Sequence, residues 1–475
     1  MIGAMVQKEL TEYRRDRRVL GIVGLMGSLV LVSLITGWAT HTQQQRQVRQ
    51  SQRDDQATFL NQAEKPPHSA AHFGRMAYKP APPLAVFDPG AAPYLGQVIW
   101  LEAHRQDPAM FRPAEDSPEL RRLADLSVAG VLTMLLPLLI FLTGYGAFAA
   151  ERERGTLRQI MSVGPGLRSL FAGKITTLAG VGIGVAFVAC CVSIVLALTA
   201  PDSVSAGDTM LRGVGLILGY GFYCLAFAAV ALSVSARTGS ATSALLILLS
   251  IWAASVVILP RVAARVAEHV YPTPDSGVFW SETSRAIREG RPDRGSEEYR
   301  ATERMVLSRA LGREVTAQQA ASMDVDRRGL SLEVSEILGA RAYTEAYRAL
   351  YATYENQQRI RRLISILSPT ITLQHFSSAL AGTDISAHRH FALAAERQRN
   401  IVIRAMNEDM MLNGAGRSDY LASRDLWRSI PDFVYQPAAA SLAIRSAVWD
   451  FLVLVSWSGT AFGLAWLSAC RQRVC

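Results

Sequence analysis

The amino-acid sequence predicts an all-α polytopic membrane protein with six transmembrane helices and a largely helical extracytoplasmic domain. Half of the 475 residues are hydrophobic and only 19% are charged, a low charged fraction for a soluble chain of this length. Six apolar stretches are each long enough to cross a bilayer, which takes roughly 17 to 25 predominantly apolar residues. The predicted spans are residues 19–39, 126–149, 175–200, 208–235, 241–260 and 441–470.

The N-terminal segment is basic and precedes the first span, as it does in a secretory signal peptide. We expect it to stay uncleaved, because the apolar stretch at 19–39 is long for a signal. The following "GWATHTQQQ" also offers a poor small-x-small cleavage site. The first span therefore anchors the chain in the membrane.

Lysine and arginine in the short loops predict the orientation, because cations in such loops tend to stay in the cytoplasm. The loop at 150–174 is rich in cations, whereas the loop at 201–208 contains none. Both termini and residues 150–174 are therefore expected to be cytoplasmic. The long regions at 40–125 and 261–440 are then extracytoplasmic, and the bacterial inner membrane is the expected location.

The two extracytoplasmic regions differ in composition. The first opens with a polar, glutamine-rich stretch that can extend the first helix beyond the membrane, and then becomes proline-rich from Lys65 to Pro93. Prolines argue against a regular helix or a central strand there. In the second region, apolar and aromatic residues at helical spacing predict a helix that ends before Pro369. These residues, which we interpret as packing positions, are Tyr343, Tyr347, Leu350, Tyr351 and Tyr354.

Composition argues against three other classes of protein. The net charge is +9, but no basic run is interleaved with aromatic residues as in a nucleic-acid-binding module, so no nucleic-acid partner is predicted. The five cysteines lie in predicted spans or in the C-terminal tail, which excludes a disulfide-stapled ectodomain. The spans hold no cluster of ionisable residues at mid-depth, which disfavours an integral-membrane enzyme.

Small and charged residues in the spans indicate how the helices pack. Two glycine pairs, Gly180 with Gly184 and Gly215 with Gly219, match the small-xxx-small pattern that lets helix backbones approach closely. Arg445 and Asp450 lie near the external end of the last span. An ion pair, interfacial snorkelling and a translocation surface are all compatible with that position.

The segment at 150–174 ends in a Gly-Lys pair that resembles a phosphate-binding loop only superficially. Such a loop needs glycine, four residues and then Gly-Lys followed by Ser or Thr, between a strand and a helix. Here Arg168 stands five residues before Gly173, and Ile175 replaces the hydroxyl residue. No nucleotide hydrolysis and no catalytic residue are therefore predicted for this chain.

The same segment predicts a short charged helix, a bend at Gly155 and a second short helix capped by Thr156. An apolar face on the second helix is formed by Leu157, Ile160 and Met161. Such a helix on the cytoplasmic surface suits docking into a shallow cleft on a partner. The alternative is an ordinary interfacial loop anchored by arginines at the lipid headgroups.

Four stretches resemble a known family. "ERERGTLRQIMS", followed by a basic residue and "GK" before the next span, is similar to the coupling segment of ATP-binding-cassette (ABC) exporter permeases of the second type. "MVQKELTEYRRDRR" resembles their amphipathic elbow helix, here residues 1–18. "LSPTITLQHFSSALAGTD" and "VFDPGAAPYLGQ" resemble the branch with large external insertions, which includes the permeases of nitrous-oxide-reductase maturation and gliding motility.

The resemblance implies a permease subunit that couples ATP hydrolysis by a separate cytoplasmic ABC ATPase to export, or to mechanical work on an extracytoplasmic partner. ATP and Mg²⁺ would be bound by that ATPase, with no cofactor in this chain. A second permease copy, identical or a sister protein, would complete the path through the lipid bilayer. The residues assigned to the ATPase contact are Glu151, Glu153, Gly155, Thr156 and Leu157.

Two further interpretations fit parts of the sequence. A membrane-anchored scaffold or assembly protein of an envelope complex, without transport, is the alternative function. His388 and His390, with His375 nearby, invite a metal site. Helical positions two apart face different directions, however, and no companion ligand set stands at a recognised spacing, so no metal site is predicted.

Overall fold

The computed structural model describes residues 2–112, 126–162, 166–200 and 205–471. Six helices in it are long and apolar enough to cross a membrane, so the all-α polytopic fold class is confirmed. Short helix α1 (Ile2–Arg15) precedes the first span, and short helices α5 (Ala149–Glu153) and α6 (Thr156–Ser162) lie where the second span leads to the third. The six spans are formed by α2 (Arg17–Leu60), α4 (Val128–Gly144) continuing into α5, α7 (Leu167–Thr199), α8 (Ala206–Arg237), α9 (Ala241–Trp252) continuing into α10 (Leu259–Val270), and α18 (Ala440–Cys470).

The spans alternate in direction, so α1, α5 and α6 share one end of the bundle, which we call the proximal end. The chain at the opposite end, residues 40–112 and 271–439, forms a region that we call the head. Its helices are α3 (Pro67–Phe73), α11 (Ser276–Glu289), α12 (Glu297–Leu311), α13 (Ala317–Ser322), α14 (Arg327–Ser365), α15 (Pro369–Ala381), α16 (Ile385–Asn413) and α17 (Arg424–Ser429).

The fifth span contains an irregular turn. A π-helical segment, Ala253–Ile258, joins α9 to α10 immediately before Pro260. Proline has no backbone N–H and its ring clashes with the carbonyl four residues earlier, so the backbone widens locally instead of continuing a regular α-helix. The helix then runs on to Val270, beyond the predicted span end at 260.

Helix α15 belongs to the head in sequence but packs inside the bundle. It is buried along most of its length, and its residues Leu373, Phe376 and Leu380 share one hydrophobic core with the span helices. Its main neighbours are α8 and α18. The region at 261–440, expected to lie wholly outside the membrane, therefore sends one helix back among the spans.

The glycine pair of α8 forms the surface against which α15 packs, which we call the seat of α15. A Cβ atom built on Gly219 would lie 2.4 Å from Cε1 of Phe376, and one on Gly215 would lie 2.8 Å from Cδ1 of Leu380. The predicted close approach at these glycines is real, but the partner is α15. A Cβ on Gly180 or Gly184 would have no atom within 4 Å, so this second pair makes no close contact within the described chain.

Polar contacts hold the start of α15. The hydroxyl of Tyr223 donates to the carbonyl of Thr133 at 2.7 Å and lies 3.2 Å from Oγ1 of Thr370. Oγ of Ser368, the N-cap residue, donates to the carbonyl of Ser255 at 2.8 Å. These groups are buried, and a buried hydroxyl left without a partner would be costly. The bonds therefore fix where α15 enters the bundle.

Asp450 of α18 forms an ion pair, but with Arg362 of α14 and not with Arg445 of its own helix. Its carboxylate is 1% exposed and lies 3.5 Å from the guanidinium of Arg362 at the end of α14, with Nδ1 of His375 at 3.9 Å. Arg445 is exposed. The buried carboxylate thus connects the last span to α14 and α15.

The head also contains a small sheet. Strands β1 (Arg75–Tyr78) and β2 (Val98–Leu101) pair antiparallel, with Arg75 opposite Leu101. Neither is a central strand, in line with the proline content of this region. The expectation that the prolines deny any regular helix was wrong for α3, because Pro67 occupies its first turn, where the missing N–H is tolerated.

The tyrosine-rich stretch lies on α14 and serves packing. The ring of Tyr347 lies 5.3 Å from that of Phe279 on α11 and 6.4 Å from that of Tyr351. Tyr354 continues the row at 6.3 Å from Tyr351. The helix ends at Ser365, before Pro369, as predicted.

The seat of α15 can be tested by adding a methyl group. Replacing Gly219 by Ala forces a carbon into the ring of Phe376, and overpacking of this kind typically costs about 1–3 kcal/mol. We expect a lower melting temperature for the Gly219→Ala protein in detergent. Gly221→Ala is the matched control on the same helix, because a Cβ there meets no atom within 4 Å. Equal melting temperatures for the two variants would contradict the packing described here.

Candidate functional site

The segment between the second and third spans folds into two short helices at the proximal end. Gly155 separates α5 from α6 with a φ of +73°, a conformation that residues with a side chain rarely adopt. The predicted bend is therefore confirmed. The two helices lie across the ends of several spans, and each charged residue of α5 contacts a different part of the bundle.

Arg152 and Glu153 connect α5 to the turn between α8 and α9. The guanidinium of Arg152 donates to the carbonyls of Thr238 at 2.6 Å and Ala236 at 2.8 Å, at the C-terminus of α8. Oε2 of Glu153 accepts from the backbone N–H of Ala241 at 3.2 Å, at the N-terminus of α9. A cation at a helix C-terminus and an anion at an N-terminus both complement the helix dipole.

The start of α5 is held by a buried serine of α8. Oγ of Ser235 accepts from the backbone N–H groups of Phe148 at 2.9 Å and Ala149 at 3.0 Å. The same hydroxyl donates to the carbonyl of Tyr145 at 2.7 Å. One side chain thus satisfies backbone groups that the break between α4 and α5 would otherwise leave unpaired.

Glu151 enters a four-residue ion cluster that joins α1, α5 and α7. Nζ of Lys174, only 2% exposed, lies 2.7 Å from Oε1 of Glu151 and 2.9 Å from Oε1 of Glu9. Nζ of Lys8 lies 3.1 Å from the same two carboxylates. Lys8 also lies 3.1 Å from Oε1 of the exposed Glu12 on its own helix. Two lysines and two glutamates thus meet at the point where three chain segments come together. We call these four residues the proximal ion cluster.

The proximal ion cluster favours the charged forms of Glu9 and Lys8. Burial opposes ionisation of Glu9, but Lys174 and then Lys8 outweigh it, so the pKa of Glu9 is lowered. Burial likewise disfavours the charged form of Lys8, but Glu9 and Glu151 outweigh it and raise its pKa. Removal of one partner would leave a buried charge without compensation, which is far more costly than exchange of both partners.

Gly173 lets α1 reach the cluster. A Cβ atom on Gly173 would lie 2.5 Å from Cβ of Met5, so any side chain at this position would push α1 away from α7. The Gly-Lys pair that superficially resembled a phosphate loop therefore has another use in the structure. Glycine allows the close approach of α1, and Lys174 supplies the charge that holds it.

Helix α6 turns its apolar face inward. Leu157 is 4% exposed and belongs to the core of the bundle, and Ile160 and Met161 pack against that core. The apolar face expected to dock into a partner is thus covered by the chain itself. Thr156 is the first residue of α6, and its hydroxyl donates back to the carbonyl of Glu151 at 3.1 Å rather than accepting as an N-cap.

The five residues assigned to an ATPase contact therefore differ in exposure. Glu151 and Leu157 point into the bundle, Thr156 is half-buried, and Glu153 and Gly155 are exposed. Most of the exposed surface of the two helices is formed by Glu153, Arg154, Gly155, Arg158 and Gln159, which we call the outer face.

The sequence interpretation missed Lys8, Glu9 and Lys174. A signal existed, because Lys8 and Lys174 are two of only four lysines in a chain with 49 basic residues. Arginine therefore supplies nearly all other cations. A compact ammonium suits a buried site with two carboxylates better than the larger guanidinium fork.

The histidines considered for a metal site do not come together. Nδ1 of His390 lies 3.1 Å from the hydroxyl of Tyr435, and His375 lies next to Asp450. His388 packs near Phe391. Within the described parts of the chain, none of these histidines belongs to a group of three potential ligands close enough to share an ion.

Comparison with known proteins gives one family. The sequence profile of a family described as ABC-2 family transporter protein matches residues 4–468. That range includes the six span helices except the last two residues of α18, together with the head and the proximal ion cluster. A comparison with curated proteins gives no match.

The proximal ion cluster is tested by removing its most buried charge. Lys174→Met leaves Glu9 buried beside Lys8 alone, and loss of one partner of a buried pair costs on the order of 3–5 kcal/mol. We expect α1 to detach, so trypsin should cut at Arg14 and Arg15 at least about tenfold faster than in the parent protein.

Arg168→Met is the matched control, since it removes an exposed cation from the same helix α7. The double variant Glu9→Gln/Lys174→Met should be cut more slowly than the sum of the two single effects predicts, because it leaves no unpaired charge. Strictly additive effects would argue against the cluster as a unit.

Proposed function

The chain belongs to the ABC-2 family of transporter proteins, and from this membership we propose that it passes the work of a separate ATPase to the membrane through α5 and α6. The family makes it a multi-pass permease subunit of an ABC transporter, and subunits of this kind are generally non-catalytic. The proposal rests on one observation: α5 and α6 expose their outer face, while their other side is bonded to the ends of several spans.

The outer face is suited to a protein partner. It places Glu153, Arg154 and Arg158 on both sides of the exposed Gly155, so charges of both signs surround a backbone that carries no side chain. A partner can approach this backbone closely and pair with the flanking charges. We propose that the ATPase subunit, with its ATP and Mg²⁺, binds here and that the proximal end lies in the cytoplasm.

Transmission follows from the contacts behind the outer face. Glu151 connects α5 to α1 and α7 through the proximal ion cluster, Arg152 connects it to α8, and Glu153 connects it to α9. Leu157 anchors α6 in the bundle core. A push on α5 and α6 therefore shifts the ends of several helices together, as a rigid-body transition between two arrangements of the spans requires.

The other parts of the assembly are proposed on the same basis. A second permease copy, identical or a sister protein, would complete the path through the bilayer. The head would either gate the exit or receive an extracytoplasmic partner, with export or mechanical work as the outcome. Membership of the branch with large external insertions is supported by the head, whose chain is inserted after the first and fifth spans.

Two sets of variants separate docking from transmission. Arg154→Glu with Arg158→Glu reverses two exposed charges of the outer face and should abolish co-purification with the ATPase, while the melting temperature stays unchanged. Glu151→Gln alters an anchor behind the face, so association should persist while the permease-dependent change in ATP hydrolysis falls at least fivefold, equivalent to about 1 kcal/mol of coupling.

Arg14→Glu is the control, because it reverses an exposed charge at the same end of the bundle but outside α5 and α6. Loss of association in this control alone would move the docking surface to α1. If no variant changes association or ATP hydrolysis, the scaffold function without transport becomes the better interpretation.

A further inference from the structure

Three histidines of the head converge on one point. His68 and His72 lie four residues apart on α3, so they share one face of the helix. His104 approaches from the loop after β2, with its ring centroid 5.2 Å from that of His68 and 5.4 Å from that of His72. One potential ligand nitrogen from each ring lies within 4.8 Å of the other two.

The spacing of these nitrogens suits a transition-metal ion. Nε2 of His68 and Nε2 of His72 are 3.2 Å apart. Two imidazole ligands of a tetrahedral zinc ion, each bound at about 2.0–2.1 Å, are separated by about 3.3 Å. The third nitrogen lies within 4.8 Å of the other two and needs to move inward to complete such a set. His72 and His104 are exposed and have room to make this adjustment.

A carboxylate stands behind the third histidine. Nδ1 of His104 lies 2.6 Å from Oε1 of Glu336 on α14, so this nitrogen donates its hydrogen and Nε2 is left to bind an ion. Glu336 also accepts from the backbone N–H of His104, which holds the residue at a φ of +64°. A carboxylate that orients a histidine in this way is the usual outer partner of a metal ligand.

The carboxylate is itself fixed. Nη1 of Arg399 on α16 lies 3.0 Å from Oε2 of Glu336 and donates to the carbonyl of Glu102 at 3.2 Å. Arg399 is 2% exposed. The support for His104 is therefore built from the second inserted region, whereas the three histidines come from the first.

We propose that His68, His72 and His104 bind one divalent transition-metal ion, Zn²⁺ or Cu²⁺, on the surface of the head. Imidazole nitrogen is a preferred ligand of both ions. Three protein ligands leave a fourth position for water or for a donor from a partner. The ion would connect α3 to the loop at His104. Through Glu336 and Arg399, this connection extends to α14 and α16.

The inference is independent of the ATPase contact, which lies at the other end of the bundle. Its test uses full-length protein without a polyhistidine tag, stripped with EDTA and titrated separately with Zn²⁺ and Cu²⁺. We expect one ion per chain and at least a tenfold loss of affinity in His72→Ala and in His104→Ala. The paramagnetic resonance spectrum of bound Cu²⁺ should report three nitrogen ligands, and two in either variant.

His269→Ala is the matched control, because it removes an exposed histidine from α10, outside this group. His72 is itself exposed, so its replacement leaves the fold intact, and an unchanged melting temperature in EDTA verifies this. Binding of the ion with the same stoichiometry and affinity in His72→Ala would overturn the proposal. So would titrations in which neither ion binds the parent protein more tightly than the His68→Ala/His72→Ala/His104→Ala protein.

Discussion

The attraction between the buried Lys174 and its two carboxylates is the contact on which the proximal end depends. It holds α1 against α7, and it fixes the inner side of the segment whose outer side is exposed. In a buried site this attraction is offset by the cost of removing four charges from water, so a complete set of partners matters more than any single distance. We therefore expect α1, α5 and α7 either to keep this one arrangement or to separate from one another.

A second constraint operates where the head meets the bundle. Helix α15 packs on the surface that Gly215 and Gly219 leave open on α8. Asp450 of the last span pairs with α14, the helix that precedes α15. The span helices and the head are thus joined through packed side chains. The seat of α15 lies on α8, and α5, which carries Glu151 of the proximal ion cluster, is bonded to the C-terminus of that same helix through Arg152.

The sequence was sufficient for the features that depend on local chemistry. Six apolar stretches predicted six span helices, Gly155 predicted the bend, and Pro369 predicted the end of α14. It was insufficient where distant residues meet. Hydropathy could not place α15 among the spans, since its polar flanks resemble those of any head helix. The pairing of Glu9 with Lys174 and the convergence of His104 on α3 join residues far apart in the chain, and no local pattern predicts such contacts.

The length of α2 has a mechanical consequence. The helix runs without interruption through 44 residues from the proximal end into the head, which corresponds to a rod of about 66 Å. A tilt of about 5° at its base would displace its far tip by about 6 Å, roughly one helical turn. A small rotation of α2 at the proximal end would therefore become a large displacement at the far side of the membrane, without any change in the helix itself.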